Sequence, residues 1–186
     1  MTNLDAAGAA HVERDCSFDE DGLWFRYRAA AVILHEGRVL MTRNELESYY
    51  YSVGGGVHHG ETAEEAVRRE VLEETGVAME VDRLVFIHEN FFPGVLTGVL
   101  AGRTCHELTF YFLMKYRPGV RLEGRSTTME GAREWLEWVD LASFGVDRPA
   151  YPAFFADELP RLGASPKWIV TRGSASYVHS ERPALT

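Results

Sequence analysis

Three carboxylates, Glu70, Glu73 and Glu74, stand at i, i+3 and i+4 in the segment GGGVHHGETAEEAVRREVLEETGV, residues 54 to 77. The segment carries helix punctuation. Thr62 and Glu65 make the Thr-x-x-Glu of a capping box, and Gly76 stands where a left-handed closing residue is wanted, which predicts a helix over 64–75. At about 100° per residue, Ala63, Ala66 and Val67 share one sector, with Val71 beyond an edge and Leu72 pointing away. Glu70, Glu73 and Glu74 fall in that same sector or near its other edge. Glu64 and Glu65 lie outside it, each with an arginine four residues later, Arg68 and Arg69. The outer acids therefore have partners on the helix and the inner three have none. Carboxylates so spaced repel by roughly 0.2–0.5 kcal/mol per pair on an exposed helix, and by more when desolvated. Arginines arriving from elsewhere would relieve them, as would a divalent cation. Clustered carboxylate oxygens suit hard Mg²⁺ or Mn²⁺, which shares its remaining sites with substrate phosphates. A merely solvated face is the ordinary meaning of an acidic run, and the inward phase of these three argues against it.

Just upstream, Gly54, Gly55, Gly56 and Gly60 let the backbone approach a ligand closely. No Gly-Lys-Ser/Thr follows, and His59 stands where the third glycine of a dinucleotide-binding turn would be, so neither common phosphate loop is present. Taken together, Gly55, Glu61, Arg69-Glu70-Val71, Glu73-Glu74 and Gly76-Val77 resemble a complete Nudix box. The resemblance implies a Nudix fold, an α/β/α sandwich with a mixed β-sheet. It implies hydrolysis of a pyrophosphate within a nucleoside diphosphate linked to another moiety, with Mg²⁺ or Mn²⁺. It makes Glu70 and Glu74 the principal metal ligands, with Glu73 a further ligand and the carbonyl of Gly54 or Gly55 completing the set. Arg69 is expected to form a salt bridge to Glu61, and Gly55 and Gly56 are the candidate substrate-binding positions. The general base is Glu70 or a later carboxylate, for which Glu107, Glu130, Glu134 and Glu137 are the candidates. Val53 replaces the proline common before the glycine pair, which changes stiffness rather than chemistry.

Around this segment the chain reads as a mixed α/β domain. A hairpin is expected on either side of His35-Glu36-Gly37-Arg38, short strands at 49–53, 81–88, 108–115, 135–140 and 168–171, and a short helix at 152–159. The sequence FFPGVLTGVLAGRTCHE, residues 91 to 107, reads as a long glycine-punctuated loop and a candidate lid. Phe91 and Phe92 are read as core in preference to a base-stacking pair, and Trp135, Trp138 and Trp168 as core. Residues 1–19 read as a flexible acidic arm, 20–162 as the Nudix domain, and 163–186 as an extension packed on it.

Among 186 residues, 19 Lys and Arg against 28 Asp and Glu give a net charge of -9 with no basic block. That balance disfavours a nucleic-acid polymer as partner and leaves a small nucleotide-derived substrate whose charge cations bridge. Cys16 and Cys105 fit no zinc spacing. With no apolar run approaching the roughly 18 residues of a membrane span and no leader, a cytoplasmic protein is expected, and the resemblance adds a possible homodimer. Pro93, sixteen residues beyond Val77, is the one feature that suggests ADP-ribose as the specific substrate. A Nudix-fold sensor without turnover is the alternative from another class, and the intact carboxylates argue against it.

Overall fold

The computed structural model describes residues 14–94, 100–124 and 131–173. Its strands are β1 (Ser17–Glu20), β2 (Leu23–Val32), β3 (Leu34–His35), β4 (Arg38–Asn44), β5 (Tyr50–Ser52), β6 (Gly54–Gly56), β7 (Glu80–Pro93), β8 (Thr104–Lys115), β9 (Glu134–Asp140), β10 (Ala150–Tyr151) and β11 (Lys167–Arg172). Helix α1 (Ala63–Thr75) follows β6, and a single turn, α2 (Phe155–Glu158), follows β10. One mixed sheet runs β1-β2-β8-β7-β11 with β6 also on β2, and a second runs β10-β5-β4-β3 with β9 on β4. This is the mixed-sheet α/β architecture the sequence suggested.

β2 separates two cores because its side chains alternate. Ala29, Ala31 and Ile33 pack with Ala66, Val67 and Val71 of α1, while Ala30 and Val32 pack with Phe86, Tyr111 and Phe155 on the opposite face. The run Ala29-Ala30-Ala31 keeps this strand thin, so β6 can lie against it. A Cβ at Gly54 would sit 2.4 Å from the Ala29 carbonyl oxygen.

Several expectations need correction. Ser17–Glu20, expected in a loose arm, pair with β2 as β1, and the backbone of Arg14 and Cys16 bonds to His59 and Val57 of the glycine loop. The loop expected at 91–107 is shorter, because β7 continues to Pro93 and β8 begins at Thr104. Cross-strand rings hold that hairpin extended: Phe91 stacks on His106 at 4.2 Å and Trp24 meets Phe92 edge-on at 6.3 Å. The middle of the candidate lid, 95–99, lies outside the described residues. Trp168 is 66% exposed on edge strand β11, with Nε1 donating to Glu89, so it is not core. Trp138 does pack on the α1-side core, and Trp135 is flanked by the guanidinium groups of Arg43 and Arg133. Leu72 finds no cover and stays exposed. Among the described residues no helix is long and apolar enough to cross a membrane.

Candidate active site

Helix α1 starts and stops by the two devices in its sequence. Thr62 Oγ1 accepts from the Glu65 amide, the Glu65 carboxylate accepts from the Thr62 amide, and Gly76 closes the helix at φ 72°. Ala63, Ala66, Val67 and Val71 then bury against β2, and this fixes the rotation that turns Glu70 and Glu74 towards β6.

Glu74 is buried. One carboxylate oxygen accepts from the Gly54 amide at 2.7 Å, and the other from the Thr42 hydroxyl at 3.0 Å. Burial pushes its pKa up to about 8, against the opposing pull of the Gly54 amide, the Arg28 charge and the Thr42 hydroxyl, with Glu70 adding repulsion. Glu70 presses on Gly55, where an added Cβ would stand 2.3 Å from Oε1.

The three acids are not alike, and they are not unpartnered as the helical phase suggested. Arg69 Nη1 donates to Glu70 Oε1 at 2.6 Å and reaches Glu73 at 3.4 Å, while Nε and Nη2 grip Glu61 at 3.0 Å each and Nη2 also donates to the Gly56 carbonyl. Arg69 therefore turns to the loop rather than to Glu65, which is occupied by the cap. Burial pushes the Glu61 carboxyl up, but hydrogen bonds from Arg69 and the His58 amide outweigh it and hold the group below the usual range. Glu73 is the outlier, with 58% of its side chain exposed. The outer pair Arg68 and Glu64 bridges at 2.6 Å, as the spacing implies.

A hard cation fits the donor chemistry here, since every nearby donor is an oxygen and Glu74 is a buried carboxyl short of positive charge. Among the described residues, however, no group of three or more acids, histidines or cysteines is arranged around one point. Glu70 and Glu74 are the converging pair, and Arg69 occupies one Glu70 oxygen. Glu73 would join only by swinging in from solvent.

Sequence reasoning missed Arg28, which is buried beneath the glycine strand. Its Nη1 donates to Ser52 Oγ at 3.0 Å and its Nη2 to the carbonyls of Ser52 at 2.7 Å and Gly54 at 2.9 Å. Burial would lower its pKa, but the negative surroundings of Glu107, Tyr111, Glu74 and Glu70 more than compensate and hold it above the usual value. An arginine within an apolar strand sequence was the only available sign.

The structure scatters the later acids. Glu107 lies on the face of β8 away from α1 and accepts from Thr109 at 3.2 Å. Glu134 accepts from the Tyr51 hydroxyl, and Glu137 holds Arg43 at 2.7 Å and Tyr50 at 2.8 Å. Glu130 lies outside the described residues. A cleft of about 340 Å³ beside Phe144, Pro149 and Tyr151 contains none of these groups.

The glycines offer a contrast that can be measured. Gly54→Ala meets backbone at 2.4 Å and adopts φ 135°, so it is expected to cost about 3 kcal/mol of stability. Gly55→Ala meets only the movable tip of Glu70. Its melting temperature is expected to stay within about 3 °C of wild type while turnover falls at least about tenfold. Equal destabilisation of both variants would contradict this reading.

Residues 24–157 match the model of the NUDIX domain. A MutT-like protein of Streptomyces ambofaciens is 37% identical over 71 residues, a stretch covering 38% of this chain and 46% of that protein, so the match spans less than half of that relative. Two solved structures share the fold. One is a MutT protein from Methanosarcina mazei Go1, with 22% identity, 74% of this chain and 91% of that chain covered, and a TM-score of 0.54. The other is a NUDIX hydrolase from Nitrosomonas europaea, with 11% identity, coverage of 93% and 100%, and a TM-score of 0.50. With the box built onto α1 and β6, and the family match covering both elements and the strands β2 to β10 around them, the chain belongs to the Nudix family of pyrophosphohydrolases.

Proposed function

We propose that this chain hydrolyses the pyrophosphate of a nucleoside diphosphate linked to another moiety, with Mg²⁺ or Mn²⁺ as the metal. The observation that carries the reading is Glu74, a buried carboxyl held at the edge of β6 with no arginine in direct contact among the described residues. Nudix hydrolases generally use divalent metals. When bound, the cation supplies charge neutralisation for the diphosphate and lowers the pKa of a coordinated water.

The chain's own residues then have distinct tasks. Glu74 and Glu70 offer the oxygens, and the Gly54 carbonyl keeps one lone pair beyond the one given to Arg28. Arg69 cross-links Glu61, Gly56 and Glu70, and so fixes the loop relative to the helix. Glu73 contributes from the solvent side. Glu70 is the proposed proton acceptor, since Oε1 holds Arg69 and its other oxygen accepts no hydrogen bond among the described residues. Glu134 and Glu137 are committed to tyrosine and arginine partners, which fits structural duty better than proton transfer.

A phosphate-release screen would test this, with nucleoside triphosphates, ADP-ribose, nucleotide sugars and dinucleoside polyphosphates, each with Mg²⁺ and Mn²⁺. Metal-dependent turnover of one class is the expected result. Silence across the panel, with metal still raising the melting temperature, would favour a nucleotide sensor.

A further inference from the structure

The face of the first sheet away from α1 carries a polar strip between apolar ends. Strand register sets out its rows. Arg28, Thr109, His88 and Ile169 lie side by side across β2, β8, β7 and β11, and the next row is Arg26, Glu107, Asn90 and Thr171. Beyond them are Trp24, Cys105 and Phe92 on one side, and Tyr111 with Phe86 on the other. Phe154 meets the His88 ring edge-on at 4.9 Å. The strip adjoins the box, because Arg28 is also the donor to the Gly54 carbonyl.

Two buried polar atoms in these rows have no partner among the described residues, Arg26 Nε and His88 Nδ1. Their hydrogen-bonding characters can be assigned. Thr171 Oγ1 lies 2.6 Å from Asn90 Oδ1, a carbonyl oxygen, so the single hydroxyl proton points there. The same oxygen then accepts from His88 Nε2 at 2.8 Å, which places the ring proton on Nε2 and leaves Nδ1 a bare acceptor. Burial pushes the His88 pKa down to about 4, so the ring is neutral at physiological pH. Arg26 and Glu107 are register partners, yet among the described residues no ion pair joins them. The strip thus presents an unpaired acceptor, an unpaired cationic donor and a carboxylate, walled by aromatic rings.

We propose that this strip recognises the base of the nucleotide substrate and selects a lactam edge, an N–H beside a C=O, as in 6-oxopurines and 2,4-dioxopyrimidines. The carbonyl goes to the Arg26 guanidinium and the N–H to Glu107 or His88 Nδ1, so one donor and one acceptor of the base each meet a group of opposite character. An amino base reverses this pattern: its exocyclic amino group stands where the carbonyl was and a bare ring nitrogen where the N–H was, so donor meets guanidinium and lone pair meets carboxylate or imidazole nitrogen. Phe154 must shift for Nδ1 to be reached, and it sits at the N-cap of the single-turn α2 rather than in the sheet. The inference rests on the nucleotide-hydrolase reading and adds the class of base.

Calorimetric titration with GMP, IMP, UMP, AMP and CMP in Mg²⁺ buffer tests it without requiring turnover. Wild type is expected to bind the first three at least about tenfold tighter than the last two. Arg26→Met and Thr171→Val, the latter removing the proton that orients His88, are expected to bring that ratio within about twofold while circular dichroism shows intact folds. Equal binding of all five by wild type, a ratio that survives in both variants, or no binding at all overturns the proposal. Turnover in the phosphate-release screen without base preference sinks only the proposal. Base preference without any turnover sinks only the hydrolase reading.

Discussion

Glu74→Gln is expected to abolish turnover, by about 10³-fold or more, and at the same time to make the metal-free protein more stable. Both effects come from one environment. The carboxyl is buried, and its pKa is about 8 in the folded chain against an ordinary value of 4.5. Between those values the folded state holds a proton that the unfolded state has lost, so wild-type stability falls as pH rises from about 4.5 to 8 and is level above. Glutamine keeps an acceptor for the Gly54 amide and carries no charge. Metal-free melting curves from pH 5 to 9 should therefore diverge, with the variant ahead by about 1 kcal/mol or more at the alkaline end. Added Mg²⁺ or Mn²⁺ should raise the melting temperature of wild type alone. A variant less stable than wild type at pH 9 would mean that Glu74 is compensated by its neighbours and is not held in reserve for a cation.

Arg28→Ala is expected to be the most damaging substitution for the fold. It removes donors to Ser52 Oγ, Ser52 O and Gly54 O and takes away a buried positive charge that interacts with Glu107. Breaking a buried charge in this way costs about 3–5 kcal/mol, or roughly 10–15 °C in a domain of this size. Arg28→Lys should recover part of that, because one ammonium cannot span both carbonyls and the hydroxyl. A loss below about 1 kcal/mol in urea titrations would show that the strand pairing alone holds β6.

How much of this was legible in the sequence depended on distance along the chain. The helix bounds were readable because Thr62, Glu65 and Gly76 act within one turn of the residues they cap. The phase of Glu70 and Glu74 followed from the same periodicity. Arg69 was misassigned by that periodicity, since a helical wheel shows its neighbours at i±4 and not the loop that brings Glu61 and the Gly56 carbonyl beneath it. The family resemblance supplied the pairing to Glu61 that spacing alone did not. The polar strip was invisible, because His88 and Thr171 meet only through the register of β7 with β11, 83 positions apart. Trp168 was misread for a related reason: an edge strand has an open side, and nothing in a Trp-Ile-Val run says which strand will be the edge.

Chain order gives β11 a consequence for synthesis. Thr42, Gly54 and Glu74 can assemble while the ribosome is still translating residues beyond 160, whereas Thr171 emerges 81 residues after the Asn90 it bonds. The proton on the His88 imidazole is therefore fixed only once β11, the last of the described strands, has been made. A nascent chain that ends before β11 would already carry Thr42, Gly54 and Glu74 but would lack the hydroxyl that orients His88. If the polar strip reads the base as proposed, selectivity is installed after the residues of the hydrolytic site are already in the chain.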